Sequence, residues 1–244
     1  MMPGYVEGRG VNGRVVEGRV MIALLAAGES RRFGGVKLAQ SLSSEAQELA
    51  CELACEQAGA PLISQPTETL IGHQYQALHE AANRLGATLV VVTGAHHQAV
   101  ASCLPPSATL LHNPDWQGGL GHSIAAAARE AKARRAETLL IALGDQVLLD
   151  TEDYLALFGA RRRANMRVCA YYELTLGAPA LFHYDDFEPL SGLTGDRGAK
   201  GLLSRRYQEG ALIAMAMPDA GVDIDTRSQL VAYRAKRGEG ANDN

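Results

Sequence analysis

Three nearly unbroken apolar runs constrain this chain more than any other feature: residues 21–27 (MIALLAA), 89–93 (LVVVT) and 138–143 (TLLIAL). A strand with one wet face alternates apolar and polar side chains, whereas a run without that alternation is covered on both faces. Further, shorter strands are expected at 109–112, 168–172 and 211–215. Between them lie stretches with helical periodicity at 43–57, 69–85, 95–103, 121–135 and 153–163. A closing helix is expected at 226–236, with Thr226 or Asp225 as its N-cap. Buried strands alternating with helices imply parallel βαβ units, and so a doubly wound, mostly parallel α/β sheet. In such sheets ligands lie beyond the carboxyl ends of the strands. The loops after Ala27, Thr93, His112 and Leu143 fall on that edge.

Composition agrees and removes other classes. With 47% hydrophobic residues among 244, the chain can bury a core and is not a disordered polymer. Aromatics are only 5%, which suits helices packed on a sheet better than a β-sandwich. A net charge of -4 gives no general field for nucleic acid, though it leaves room for a local cationic pocket. The apolar runs fall far short of the ~20 residues of a membrane span, and the N-terminus lacks a signal-peptide core. The expected location is the cytoplasm, with neither nucleic acid nor membrane as a partner. Cys51, Cys55, Cys103 and Cys169 are irregularly spaced and read as small buried hydrophobes rather than a disulfide framework or metal site. Residues 1–20 nearly repeat VEGR without an amphipathic period and read as a flexible tail; Met21 is a candidate initiation residue. Residues 21–240 read as a single domain.

Five segments carry chemistry. In LLAAGESRRFGGVK (24–37) a strand runs into small residues and then cations. A triphosphate needs backbone N–H groups at close range, so Leu25, Ala26, Ala27 and Gly28 can cradle it, while Arg31 and Lys37 neutralise its charge. An ordinary βα connector with surface arginines has the same spacing. The loop is neither a Walker A motif nor a dinucleotide fingerprint. In LLIALGDQ (139–146) Asp145 follows a buried strand, which suits either a Mg²⁺ ligand or a turn cap. In GVDIDT (221–226) Asp223 and Asp225 alternate along extended chain, so one faces the site and the other is a structural acid; Asp225 is favoured. In NPDWQGGLGHSI (113–124) Gly118, Gly119 and Gly121 let backbone approach a flat ligand, with Ser123 near a helix start. A plain Gly-rich connector is the other reading. In LTGDRGAKGLL (193–203) Asp196, Arg197 and Lys200 surround a turn that either binds an acceptor phosphate or is simply solvated. The histidines show no metal-ligand spacing, and no nucleophile elbow is present.

Taken in this order, with VVVTGAH (90–96, containing Gly94) and GAPALF (177–182), these segments resemble the molybdenum cofactor cytidylyltransferase-like branch of the NTP-transferase family. The resemblance runs from Met21 to Leu230. It implies a Rossmann-like, GT-A-like nucleotidyltransferase fold and Mg²⁺-assisted transfer of CMP from CTP to the phosphate of molybdopterin, with pyrophosphate leaving. Lys37, Arg31 and Asp145 would be catalytic. Leu25, Ala26, Ala27, Gly28, Gly94, Gly119, Ser123, Asp196 and Lys200 would bind substrate, and Asp145 with Asp225 or Asp223 would hold the metal. Ala27 and Gln146 resemble the CTP-using rather than the GTP-using type. Guanylyl transfer, another small phosphorylated acceptor, or a non-catalytic escort handing cofactor to a molybdoenzyme remain alternatives. The chain departs from the pattern at Phe33, where Met is usual, and at Val147, where Pro is usual. It also carries an extra segment, 41–67, beside the phosphate loop. These departures bear on the acceptor more than on the reaction type.

Overall fold

The computed structural model describes residues 19–43 and 69–240. Its strands are Val20–Ala26 (β1), Thr88–Thr93 (β2), Leu110–His112 (β3), Thr138–Leu143 (β4), Arg167–Tyr172 (β5), Thr175–His183 (β6) and Leu212–Ala216 (β7). Its helices are Leu70–Leu85 (α1), His97–Ser102 (α2), Leu120–Ala133 (α3), Thr151–Gly159 (α4), Phe187–Ser191 (α5), Lys200–Gln208 (α6) and Arg227–Gly240 (α7). The strands form one sheet in the order β3-β2-β1-β4-β6-β5-β7. Every neighbouring pair is parallel except the two made by β6.

All of β1 is buried because it lies between β2 and β4 and is covered on both faces. Its side chains alternate between the two layers. Ile22, Leu24 and Ala26 join one core with Ile71 and Leu78 of α1 and Tyr154 and Leu157 of α4. Met21, Ala23 and Leu25 join the other with Ile124, Ala127 and Ala131 of α3. Each fully buried Leu or Ile contributes roughly 1.5–3 kcal/mol, so this strand alone anchors both layers.

Helix boundaries follow local chemistry. Thr69 caps α1, its hydroxyl accepting from the Gly72 N–H at 3.1 Å, and Gly86 ends the helix at φ 62°. α4 begins two residues before the expected start, because Asp150 and Asp153 form a reciprocal capping box, and it stops at Gly159 rather than running to residue 163. α7 starts behind Thr226, whose Oγ accepts from the Gln229 N–H at 3.3 Å while the Gln229 side chain accepts from the Thr226 N–H at 2.8 Å.

Strand β6 is the main element beyond the sequence reading. It reverses direction through Glu173 and Leu174, both at positive φ (47° and 62°) without the Gly or Asn that usually marks such a turn. Pro179 would also argue against a central strand. Here the β5–β6 register jumps from Cys169↔Ala180 to Ala170↔Gly177, so Ala178 and Pro179 sit in a bulge where β5 asks for no N–H.

The expected tail (to residue 18) and the expected helix at 43–57 beyond Ser43, with Cys51 and Cys55, lie outside the described residues. So does most of the 41–67 segment. Its flanks are joined: Ser41 bridges Thr69, and the Leu70 N–H donates to the Gln40 carbonyl at 3.0 Å. No helix among the described residues is long and apolar enough to cross a membrane.

Candidate active site

The carboxyl ends of β1 and β4 open onto a cleft of about 490 Å³. One wall is the turn after β1, with Leu25, Ala26, Ala27 and Gly28 along the cleft. The chain then coils on itself, the Phe33 and Gly34 N–H groups both donating to the Ser30 carbonyl. This brings Lys37, in the single turn Lys37–Ala39, back under the loop.

Lys37 is the centre of the site. Its side chain is only 9% exposed, and its ammonium donates to Asp145 Oδ2 at 2.7 Å and to Asp225 Oδ1 at 3.1 Å. Burial alone would lower the pKa of this lysine. The two carboxylates outweigh that effect and hold its pKa above the ordinary value. The other oxygen of Asp225 pairs with Arg32 at 2.9 Å. Arg31, next in line, points to solvent at the rim and pairs with Glu29 at 2.7 Å.

Asp145 reaches the cleft because Gly144 lets the chain turn tightly over β1, its N–H donating to the Leu25 carbonyl at 3.1 Å. Gln146 then turns inward. It is fully buried, and its amide donates to the Ala178 carbonyl at 2.8 Å and the Ala220 carbonyl at 2.7 Å. It does not line the cleft. This side chain ties the Asp145 turn to β6 and to the turn before Asp223.

Asp225 comes from extended chain beyond β7, and Ile224, buried in the core, separates it from Asp223. Asp225 lines the cleft and Asp223 does not. Asp223 lies behind, with Oδ1 buried and without a hydrogen-bond partner. Burial, followed by the charges of Asp145 and Asp225, pushes its carboxyl up to about 7, although Lys37 pulls the other way.

The opposite wall joins two segments that are far apart in sequence. The Gly121 N–H donates to the Gly195 carbonyl at 2.8 Å. A Cβ on Gly119 (φ 91°) would collide with Asp196, and one on Gly121 with the Thr194 backbone. The glycines thus admit the 194–196 turn as closely as they would admit a ligand. Gly119, Ser123 and Asp196 face the cleft. Ser123 accepts from the Asn113 amide at 3.2 Å.

Two expected binding residues lie elsewhere. Gly94 packs beneath the cleft, where a Cβ would come within 2.6 Å of the Ala27 carbonyl and of Trp116 Cβ. Lys200 opens α6 on the exposed surface, away from the lining. Sequence reasoning gave no role to Arg32 or to Trp116, which lines the cleft. The motif NPDW contained the signal for Trp116. Nothing in the RR pair told which arginine turns inward.

Asp145 and Asp225 converge on one cation position, taken by the lysine ammonium. That donor set fits Mg²⁺, which takes one or two protein carboxylates and completes its shell with phosphate and water. Among the described residues no group of three or more His, Cys, Asp or Glu is gathered as a metal site.

A parallel sheet with a small-residue loop after its first strand and a Lys–carboxylate cluster at its carboxyl edge is the architecture of nucleotidyltransferases. A nucleotidyl transferase from Methanothermobacter (Mth528) shares the fold with a TM-score of 0.62 at 17% identity, covering 91% of this chain and 99% of that one. Rv0371c from Mycobacterium tuberculosis H37Rv, solved in complex with manganese, does so at 0.56 and 18%, covering 89% and 98%. More specifically, residues 22–210 match the MobA-like NTP transferase domain, and the chain belongs to that family. Purine catabolism protein PucB of Bacillus subtilis (strain 168) is 29% identical over 215 residues, 86% of this chain and 93% of that protein. The chain is a nucleotidyltransferase of the MobA-like kind.

Proposed function

We propose that this chain transfers CMP from CTP to the terminal phosphate of molybdopterin and releases pyrophosphate. The observation that carries the reading is Lys37 held between Asp145 and Asp225, directly beside the small-residue loop. An acceptor phosphate oxygen would bond to the α-phosphorus as the bond to the bridging oxygen breaks, and the electron pair would leave on pyrophosphate. Such a step asks the protein mainly for positioning and charge stabilisation.

Leu25–Gly28 backbone groups would seat the triphosphate, and Lys37, with Arg31 at the rim, would offset charge on the departing pyrophosphate. Asp145 and Asp225 would hold Mg²⁺, which when bound supplies further charge neutralisation at the phosphates. Manganese in the complex of the mycobacterial relative supports a divalent cation in this fold. Gly119 and Ser123 would contact the base. Asp196 would stand between base and acceptor, since its turn lies against Gly119. Lys200 and Arg197, outside the cleft lining, would meet only an acceptor extending beyond it.

The molybdopterin acceptor rests on the sequence resemblance. The name of the Bacillus relative places that protein in purine catabolism and names neither nucleotide nor acceptor. GTP is the second reading, because the lean of Ala27 and Gln146 toward CTP rests on the resemblance alone. Mass spectrometry of products after incubation with molybdopterin, Mg²⁺ and either CTP or GTP tests both readings. A CMP conjugate is expected; a GMP conjugate replaces the donor, and absence of either overturns the acceptor. Asp145→Ala and Lys37→Ala should each lower pyrophosphate release by ~10²–10³-fold. Turnover close to wild type in both would end the assignment.

A further inference from the structure

The carboxylates that fit a divalent cation are already neutralised. Lys37 lies within 3.1 Å of both, at 9% side-chain exposure, and Arg32 lies 2.9 Å from the far oxygen of Asp225. Two anionic groups therefore face two cationic ones, and the local charge is balanced before any ligand arrives. A divalent ion entering this pocket must displace an ammonium that is largely shielded from water, where charge pairs are strongest.

A triphosphate changes that balance. It enters along Leu25–Gly28, within the cleft that Lys37 also lines, and brings several negative charges to which a lysine is attracted as a point charge. The lysine has a flexible stem, whereas both aspartates sit on short, well-tied turns. Asp145 is flanked by the Gly144–Leu25 hydrogen bond and the Gln146 anchors. Asp225 precedes the α7 capping box, and its N–H donates to the Gln229 side chain at 2.9 Å. The member of the cluster with the longest rotatable stem is the lysine.

We infer that Lys37 is a built-in stand-in for the metal: it keeps the Asp145–Asp225 pair closed in the nucleotide-free protein and releases it to the phosphates, so that the divalent cation enters with the nucleotide and not before it. This rests on the nucleotidyltransferase reading of the cleft and adds an order of binding to it. Because coupling between two ligands is reciprocal, the cation must tighten nucleotide as much as nucleotide tightens cation.

The probe is Mn²⁺, followed on the full chain by water-proton relaxation enhancement, with and without CTP or GTP. Wild type should bind Mn²⁺ weakly alone and about tenfold or more tightly with nucleotide. Lys37→Met should bind Mn²⁺ alone about tenfold more tightly than wild type, and the added substitution Asp145→Asn should abolish that gain. Lys37→Gln, which keeps a hydrogen-bond donor between the carboxylates, serves if the Met variant does not fold. Lysine variants that bind Mn²⁺ no better than wild type overturn the inference, as does a gain that survives Asp145→Asn. Wild type holding Mn²⁺ equally with and without a bound nucleotide overturns it without any variant. Failure of both nucleotides to bind any form sinks the functional reading instead, and leaves the Mn²⁺ comparison among variants to decide the role of Lys37.

Discussion

At the residue scale, the site depends on two polar side chains outside the cleft lining, Gln146 fully buried and Asp223 half-buried. Gln146 spends both amide hydrogens on the Ala178 and Ala220 carbonyls, while its own oxygen has no partner. Replacing it with Met, close in volume, strands two carbonyls. A stability loss of ~2–4 kcal/mol is expected, at about 1–3 kcal/mol per unsatisfied buried group and with partial relaxation. Urea unfolding measures it. The CTP:GTP preference should not change, since the side chain does not line the cleft; a switch in preference would show that Gln146 selects the base. Asp223 makes the second case, through pH. Its carboxyl sits at about 7 in the fold, against ~3.9 in an unfolded chain. Between those values the folded state keeps a proton that the unfolded state gives up. The sign is thus opposite to that of a salt-bridged Asp: the contribution is full below ~4 and is lost as pH rises through about 7. In EDTA, Asp223→Asn should melt higher than wild type at about pH 8, with the difference shrinking toward about pH 5. A constant difference would show that Asp223 does not titrate this way. Sequence alone named Asp145 from its place directly after a buried strand, Lys37 from the small-residue loop that ends in cations, and Asp225 from the alternation within GVDIDT. It did not show where Gln146 points, because the direction of one side chain after a turn depends on what lies beneath, here β6, which the sequence reading did not contain.

At the element scale, the strands with continuous apolar runs were legible because burial on both faces writes itself into composition. β1, β2 and β4 appear within a residue or two of expectation. β6 and its turn were not legible, since a hairpin through Glu173–Leu174 is fixed by its neighbours β4 and β5 rather than by its own residues. Capping errors at α4 have the same origin in miniature: two acids, Asp150 and Asp153, competed for one N-cap, and only the reciprocal hydrogen bonds decide. Gly94 shows how an element junction supports a site it does not line. It ends β2 where the β1 turn and the Trp116 turn meet, with no room for a methyl group. Gly94→Ala must push Ala27 and Trp116 apart, and an overpacked junction of this kind costs typically ~1–3 kcal/mol. The expected result is a lower melting temperature together with nucleotide affinity reduced by ~10-fold, at roughly 1.4 kcal/mol of lost binding. Affinity unchanged despite a lower melting temperature would show that the Ala27 wall does not seat the nucleotide.

At the scale of the whole molecule, the carboxylate pair around Lys37 is drawn from distant parts of the sheet. Asp145 follows β4, and Asp225 follows β7, three strand positions away, or ~14 Å at the usual spacing. The chain after β7 must therefore cross back over the sheet edge to bring Asp225 to Lys37. A small third core makes the crossing secure: Phe33 of the phosphate loop, Leu42, Leu70, Val147, Ile224 and Leu230 of α7 pack together. Phe33 and Val147 belong to that same cluster, so the phosphate loop and the turn after Asp145 share one small core. From α7, Arg227 stacks over the Phe33 ring, and Arg234 donates to the Ser41 carbonyl at 2.6 Å. Helix α7 is thus a clamp on the phosphate loop as well as a lid on the core. Leu230→Ala should cost ~2–5 kcal/mol through the cavity it leaves, and it should also weaken nucleotide binding by loosening both the loop and Asp225. Leu203→Ala removes a leucine equally buried in the α3-side core, remote from the loop. It should lose comparable stability with nucleotide affinity intact when assayed well below its melting temperature. Equal losses of affinity in the two variants would mean that binding follows global stability and that α7 does not specifically hold the site. A loss confined to Leu230→Ala ties nucleotide binding to the end of the chain that the first strand alone could never have revealed.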